Sequence, residues 1–464
     1  MHLEQIYLAC LSQASYLIVD ERTKTAVVVD PRRDVGIYVE KAAKLGATIR
    51  HVLLTHFHAD FLAGHLELRE RTGAKIHLGA RGRAQYPSEP MREGGELVLG
   101  DVRLAFLETP GHTPESVSIL VFDLAKDAKK PAAVLTGDTL FIGDVGRPDL
   151  MVAAGMKAED LAGMLYDSLR RLTALPDETI VYPGHGAGSA CGKNLSSETS
   201  STIGKQKLLN HALQPMSRAE FVRLVTSEQP SAPAYFGYDA GLNRAERATL
   251  EHVLATALKP LELEDALRLA REGALLLDTR DADSFAAEHL RGALNFGLSG
   301  RYASWVGTLL DPARALVIVA APGKEEESAT RLGRIGFDRI AGFLRGGVEA
   351  ARARADLLVR GARQTPASLA QRMAAPRAPL VVDVRTNGEW NAGHIEGALH
   401  LVLDDLAKDA ARIPRERELV VVCKSGYRSS IAASLLRNAG FASVTDLAGG
   451  MDAWNGAVAC SERS

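Results

Sequence analysis

Cysteine is scarce in this chain: four in 464 residues, Cys10, Cys191, Cys423 and Cys460, with no paired spacing. So thin a set excludes a disulfide framework and fits a reducing compartment, where thiols stay free for chemistry. Net charge is nearly absent too, at −2, and no run of Lys and Arg forms a basic patch. Neither nucleic acid nor an anionic membrane surface is therefore expected as a partner. Long apolar runs are missing, and a transmembrane helix needs about 18 or more such residues. The opening MHLEQIYLACLSQASYLIVD has no basic segment leading into an apolar core, so it does not read as a secretion signal. A cytoplasmic protein is the expectation.

What is present is a long α/β pattern. A chain of 464 residues exceeds a single core and predicts two to four domains. Its 46% hydrophobic and 24% charged content is ordinary for a soluble globular protein, which directs attention to motifs. In the first part, TAVVVDP, IRHVLLTH, AKIHLGA, VRLAFLETPGH, SVSILVFD, AAVLTGD and TIVYPGH read as strands. Several end directly on His, Asp or Gly, which places polar groups at one rim of a sheet. Residues 190 to 250 turn helical and loop-rich, with Pro215, Pro230 and Pro233 as breaks.

An internal repeat fills the rest. ALLLDTRDADSFAAEHLRGALNF and PLVVDVRTNGEWNAGHIEGALHL share an apolar strand, Asp-x-Arg, an aromatic, and His before Gly-Ala-Leu. Later, ALVIVAAPGKEEESATRLGRIGFDRIAGFLRGG parallels ELVVVCKSGYRSSIAASLLRNAGFASVTDLAGG. Two α/β domains of roughly 100 residues each follow, a size that folds independently. The expected limits are 1–255, 256–361 and 362–464, the last boundary falling in GARQTP.

Candidate metal ligands gather where strands of the first domain end. They are His56, His58 and Asp60 in THFHADF, His112 in ETPGHTPES, Asp138 in LTGDTLF and His185 in YPGHG. An extended THFHAD segment aims alternate side chains at one centre. Imidazole and carboxylate together suit Zn, Fe(II) or Mn(II).

THxHxD, TPGHT, TGD and YPGHG resemble the successive signatures of the metallo-β-lactamase fold, an αββα sandwich with metals at one sheet edge. That fold serves hydrolases such as glyoxalase II and oxygenases alike. HADFLAGHLELRERTGA, GDTLFIGDVGRPDL and YPGHGAGSACGKNLSSETSSTIG, with PAYFGYDAGLNRAE, resemble the persulfide dioxygenases, in particular those fused to rhodanese domains. This resemblance implies one Fe(II) per chain on His56, His112 and Asp138, a two-histidine, one-carboxylate set with positions open for O₂ and a sulfur ligand. His58, Asp60 and His185 would then orient ligands or hold water. Dinuclear hydrolases of the fold usually carry a metal-binding histidine where Phe61 stands, and phenylalanine ligates nothing. Arg147 in GRPD either pairs an anionic substrate or forms a structural salt bridge. Cys191, six residues past His185, either relays sulfane sulfur, if it faces the metal pocket, or is a small buried thiol.

The second constellation is CKSGYRSS, between the strand ELVVV and the helix SIAASLLRNAGF. A cysteine at a strand end, ahead of a loop and a helix N-terminus, has its sulfur anion stabilised by backbone N–H groups and the helix dipole. Lys424 and Arg428 add positive charge. The segment resembles the rhodanese active loop, which implies Cys423 as nucleophile and sulfur carrier, with Lys424, Ser425, Gly426, Tyr427 and Arg428 as its cradle. Asp383 and Arg385, at the end of a core strand, read as structural. A phosphatase loop would need arginine where Ser429 stands. The middle copy has VAAPGKEEES near Ala320, without cysteine and with an acidic loop, so it reads as a structural or docking copy.

The expectation is thus an α/β multidomain enzyme: an αββα metallo-β-lactamase sandwich followed by two α/β rhodanese-like domains, the first inactive. The resemblance implies oxidation of a low-molecular-weight persulfide, glutathione persulfide first, by O₂ to sulfite and thiol. Cys423 would exchange sulfane sulfur between persulfide, sulfite and thiosulfate. Relatives of the fold also lead one to expect a homo-oligomer. A dinuclear zinc thioester hydrolase of glyoxalase II type and a non-oxidative persulfide carrier are the alternatives.

Overall fold

The computed structural model describes residues 1–152, 155–227, 229 and 232–459. Pro230 and Cys460 lie outside the described residues. Two compact units result. The first is built from Met1–Glu251 with Gly333–Gly336, and the second from the described remainder.

The first unit is two six-stranded sheets packed face to face. Period-two alternation makes them adhesive: Tyr16, Ile18, Val27, Val29 and Leu53 of one sheet share a core with Leu104, Phe106, Val117, Ile119 and Val121 of the other. Register places like against like, with Tyr16 opposite Val29 and Phe106 opposite Ile119. Each fully buried Val, Leu or Ile contributes about 1.5–3 kcal/mol relative to exposure. On the outer faces, helix Ala158–Thr173 lays Leu165, Leu169 and Leu172 against Val134 and Val181. Helices Gly36–Lys44 and His65–Thr72 cover the strand Thr48–Leu54. The expected αββα sandwich is present.

The runs expected as strands form Thr25–Val29, Thr48–Leu54, Lys75–Gly79, Val102–Glu108, Val117–Asp123, Ala133–Gly137 and Ile180–Pro183. The hairpin His2–Leu8 with Gln13–Asp20 was not legible. Gln13–Asp20 is buried along its whole length, so no in-out alternation marks it; Ser15 bonds the Tyr38 hydroxyl and Gln13 Nε2 donates to the Asp30 carbonyl.

The second unit repeats one plan. Five parallel strands order as Pro260–Leu261, Ile340–Leu344, Leu316–Val319, Leu275–Asp278 and Leu294–Asn295. Four more order as Leu399–His400, Leu380–Asp383, Leu419–Val422 and Val444–Asp446, again all parallel. The Asp-x-Arg repeat is a buried ion pair in both copies, Arg280 to Asp278 at 2.5 Å and Arg385 to Asp383 at 2.6 Å. Among the described residues, no helix is long and apolar enough to cross a membrane.

Candidate metal centre and sulfur-transfer loop

Four strands of the first unit end within a few residues of the candidate ligands. Thr48–Leu54 runs into Thr55 and His56, Val102–Glu108 into the loop of His112, Ala133–Gly137 into Asp138, and Ile180–Pro183 into His185. Gly137 has φ +50°, and a Cβ there would lie 2.6 Å from Thr55 Oγ1. Only glycine lets the two strand ends approach this closely.

His56, His112 and Asp138 are almost fully buried, and one donor atom of each lies within 4.8 Å of the others. Hydrogen bonding assigns the tautomers. His112 Nδ1 lies 2.9 Å from the carbonyl of Arg147, which only accepts, so Nδ1 holds the proton. Thr55 Oγ1 donates to Asp30 at 2.8 Å and so accepts from His56 Nδ1 at 3.0 Å. Both Nε2 lone pairs are thereby left facing Asp138 Oδ2, at 3.8 Å for His56 and 3.6 Å for His112. Burial, then the neighbouring His58, holds His56 well below the usual imidazole pKa, so it stays neutral. Burial opposes the charge on Asp138, but His185, His56 and His112 outweigh it and keep the carboxyl far below its usual range. Two imidazoles whose Nε2 atoms converge on one ionised carboxylate are the donor set of a divalent metal.

The remaining residues of the motif do other work. His58 Nε2 lies 3.0 Å from Asp30 Oδ1, and its ring packs 4.3 Å from that of Phe61. His185 sits between carboxylates, Nδ1 at 2.8 Å from Asp138 Oδ1 and Nε2 at 2.9 Å from Asp60 Oδ2. Burial disfavours its charge, but Asp138 and Asp60 prevail and raise its pKa well above the ordinary value. Cys191 joins Asp60 and His185 in a second buried cluster with donor atoms within 4.8 Å. Burial, then the Asp60 and Asp138 charges, pushes its thiol pKa well up. Arg147 commits its guanidinium to Asp149, with Nε and Nη2 each 2.7 Å from a carboxylate oxygen, while its carbonyl orients His112.

Sequence reasoning passed over Asp30 and Thr55. Asp30 ends the apolar strand TAVVVD much as Asp138 ends AVLTGD, and that pattern was the available signal. It takes two hydrogen bonds from Thr55 with its backbone at φ +48°, and so fixes where the HxH segment starts.

In the second unit, Cys423 caps the strand Leu419–Val422 and is 1% exposed. Its sulfur accepts the Gly426 N–H at 3.1 Å and lies 3.5 Å from Ser429 Oγ. Gly426, at φ +91°, starts the helix Tyr427–Asn438, directing that helix's N-terminus toward the sulfur side of the loop. Lys424 and Ser425 are exposed. Arg428 does not stand free beside the sulfur: it pairs with Glu389 at 2.6 and 2.8 Å. Gly450 backs the loop, since a Cβ there would lie 2.3 Å from the Cys423 carbonyl oxygen. In the middle copy a Cβ on Gly347 would lie 2.7 Å from the Ala320 carbonyl oxygen, so Ala320 occupies the matching position.

Residues 8–185 match the Metallo-beta-lactamase superfamily, and residues 262–354 and 365–457 each match the Rhodanese-like domain. A hydroxyacylglutathione hydrolase of Rhodospirillum rubrum is 30% identical over 264 residues, 55% of this chain and 93% of that protein. The crystal structure of a metallo-beta-lactamase from Staphylococcus aureus subsp. aureus COL is 30% identical, with a TM-score of 0.66, covering 74% of this chain and 98% of that one. The structure of ETHE1 from Myxococcus xanthus is 33% identical at a TM-score of 0.46, covering 53% and 98%. The chain belongs to the metallo-beta-lactamase superfamily. It is an enzyme of that fold followed by two rhodanese-like domains, and the fold implies a metal that His56, His112 and Asp138 are suited to hold.

Proposed function

We infer that this is a bifunctional sulfur-oxidation enzyme with domain limits 1–255, 256–361 and 362–464. Its first domain converts RSSH, O₂ and water to RSH, sulfite and two protons. The last exchanges sulfane sulfur through Cys423. The observation that carries the reading is the pairing, in one chain, of a buried two-histidine, one-carboxylate set with a cysteine whose sulfur accepts a loop N–H. Phe61, buried against His58, supplies an apolar wall where a second metal's histidine would stand.

His56 Nε2, His112 Nε2 and a carboxylate oxygen of Asp138 would hold one Fe(II). When bound, the iron supplies activation of O₂ beside the persulfide. The chain's own groups do the rest. The Arg147 carbonyl and Thr55 hydroxyl keep the imidazole lone pairs aimed inward. His185, whose pKa the Asp138 and Asp60 charges raise, holds protons at both Nδ1 and Nε2, one toward each carboxylate, within the buried pocket. Cys191 faces the Asp60–His185 side, but its raised thiol pKa keeps it protonated, which favours the buried structural thiol over a sulfur relay. Arg147 serves through its carbonyl rather than by binding an anion.

At the second site the Cys423 thiolate attacks the outer sulfur of thiosulfate. The new S–S bond forms as the old one breaks, and sulfite leaves with the bonding pair. The reverse reaction makes thiosulfate from enzyme persulfide and sulfite. The Gly426 N–H stabilises the sulfur charge in both directions. Glutathione persulfide is the preferred substrate, in keeping with relatives named for a glutathione thioester.

The deciding experiment is metal analysis after anaerobic iron loading, then O₂ uptake with glutathione persulfide. One iron per chain and stoichiometric sulfite are expected. A specific observation favours a second reading, a dinuclear thioester hydrolase: Asp60, His185 and Cys191 form a second donor cluster. Two zincs per chain, thioester hydrolysis and no O₂ uptake would establish that reading instead.

A further inference from the structure

The segment between the two rhodanese-like copies carries Arg363, which has no part in the metal chemistry. Its guanidinium spans three elements of the second unit. Nε lies 3.2 Å from both oxygens of Asp446, and Nη2 lies 2.8 Å from Asp446 Oδ2. Nη2 also donates to the carbonyl of Gly426 at 2.8 Å, while Nη1 reaches Asp283 of the middle copy at 2.8 Å. Asp446 in turn accepts the Ser429 hydroxyl at 2.9 Å, and Ser429 Oγ is the atom 3.5 Å from the Cys423 sulfur. Arg363 therefore stands three hydrogen bonds from the reacting atom through Asp446 and Ser429, and two through the Gly426 peptide, on ground that is mostly buried.

Ser429 gives its one proton to Asp446 and accepts from the Cys423 thiol; once the sulfur is ionised, sulfur and carboxylate both claim that proton. An unneutralised Asp446 would keep that proton and place a full negative charge behind the sulfur, opposing thiolate and persulfide anion alike. With Arg363 on Asp446, the carboxylate's claim weakens and the hydroxyl can turn to the sulfur. The grip on the Gly426 carbonyl fixes the peptide of the residue whose N–H the sulfur accepts. Gly426 is needed for this fit, since a Cβ there would lie 2.4 Å from Arg363 Nη2.

The frame around the clamp comes from the cysteine-free copy. Tyr427, Ser430, Ser434 and Asn438 fall on one face of the active helix at helical spacing. Tyr427 Oη donates to the Gly297 carbonyl at 2.7 Å, and Ser430 Oγ to Asn295 Oδ1 at 2.6 Å. Ser434 Oγ accepts the Asn295 N–H at 3.1 Å, and Asn438 Nδ2 donates to the Gly292 carbonyl at 2.9 Å. One short stretch of the middle copy thus holds the whole length of the helix that begins at the sulfur loop.

We propose that Arg363 is a positioning residue for sulfur transfer at Cys423, neutralising Asp446 and fixing the Gly426 peptide while the cysteine-free copy braces the active helix. This rests on the sulfurtransferase reading of Cys423. Full-length Arg363→Met is expected to lower the thiosulfate sulfurtransferase kcat by roughly tenfold or more, as misplacement at a reacting centre does. The thiosulfate KM should stay within about twofold, because the guanidinium is committed inward. Arg363→Lys should recover part of the rate. In an Asp446→Asn background the same Arg363→Met change should cost severalfold less than in the wild type, because the charge to be neutralised is gone and only the grip on the Gly426 carbonyl is lost.

A kcat unchanged by Arg363→Met, or an equal loss with and without Asp446→Asn, overturns the proposal. If Arg363→Met does not fold, Arg363→Lys decides: a severalfold fall in kcat supports the clamp, and wild-type kcat refutes it. Sulfurtransferase activity persisting in Cys423→Ser would overturn the underlying reading instead, so the two failures are distinguishable.

Discussion

At the scale of single residues, the metal site depends on groups that never touch the metal. Thr55 holds His56 in the tautomer that presents Nε2, and it does so because Asp30 takes its hydroxyl proton. Thr55→Val keeps the shape and removes that link. It should lower iron affinity about tenfold or more while costing roughly 1 kcal/mol of stability. Metal titration and thermal melts on the same variant would separate the two effects. Phe61 carries the complementary prediction. If it limits the site to one metal, Phe61→His should raise the zinc content of zinc-loaded protein from one toward two per chain. An unchanged ratio by elemental analysis would remove Phe61 from the argument about nuclearity.

At the scale of elements, the sulfur loop is held by neighbours in its own copy and in the copy before it. Glu389 caps the helix Asn387–Asn391 through a capping box with Thr386 and also pairs with Arg428. Burial opposes its ionisation, but Arg428 and the Thr386 N–H win, and its pKa falls from 4.5 to about 2. The sign follows directly: a lowered carboxyl pKa stabilises the fold fully above 4.5, and that stabilisation is lost as pH falls toward about 2. Wild type should therefore lose melting temperature faster than Glu389→Gln as pH drops through this window. The two should differ by a constant amount above it. Parallel curves at every pH would show that Glu389 is not held by this pair.

At the scale of the whole molecule, the proposed function puts two chemistries in one chain, and each has its own variant. Cys423→Ser should abolish thiosulfate formation and leave O₂ uptake with glutathione persulfide largely intact, with sulfite accumulating. His112→Ala should do the reverse, losing iron and O₂ uptake while retaining thiosulfate sulfurtransferase activity. Oxygen electrode traces and thiosulfate assays on both variants test the division. Equal loss of both activities in either one would contradict it.

Much of this was legible in the chain because the chemistry sits at strand ends, where apolar runs stop on His, Asp or Cys. THFHADF, TPGHT, TGD and CKSGYRS are local patterns, and the repeat follows from its own spacing, whereas the αββα sandwich was implied by the family resemblance those patterns carry. Phe61 could be weighed from the sequence because a missing ligand is an identity, not a geometry. The roles of Asp30, Ser429, Asp446, Glu389 and Arg363 were not legible. Each acts through a partner 17 to 83 residues away, and no local pattern encodes such a pairing. Arg147 and Arg428 make the same point from the other side. The sequence left Arg147 open between an anion partner and a salt bridge and placed Arg428 in the sulfur cradle, whereas packing paired both with carboxylates. The sequence by itself determined which atoms are available: the imidazoles, the carboxylate, the thiol, and the absence of a cysteine in the middle copy. Only the tertiary structure decided which lone pair faces inward and which charge is already neutralised, because those depend on what the folded chain brings to within about 3 Å, the range of a hydrogen bond.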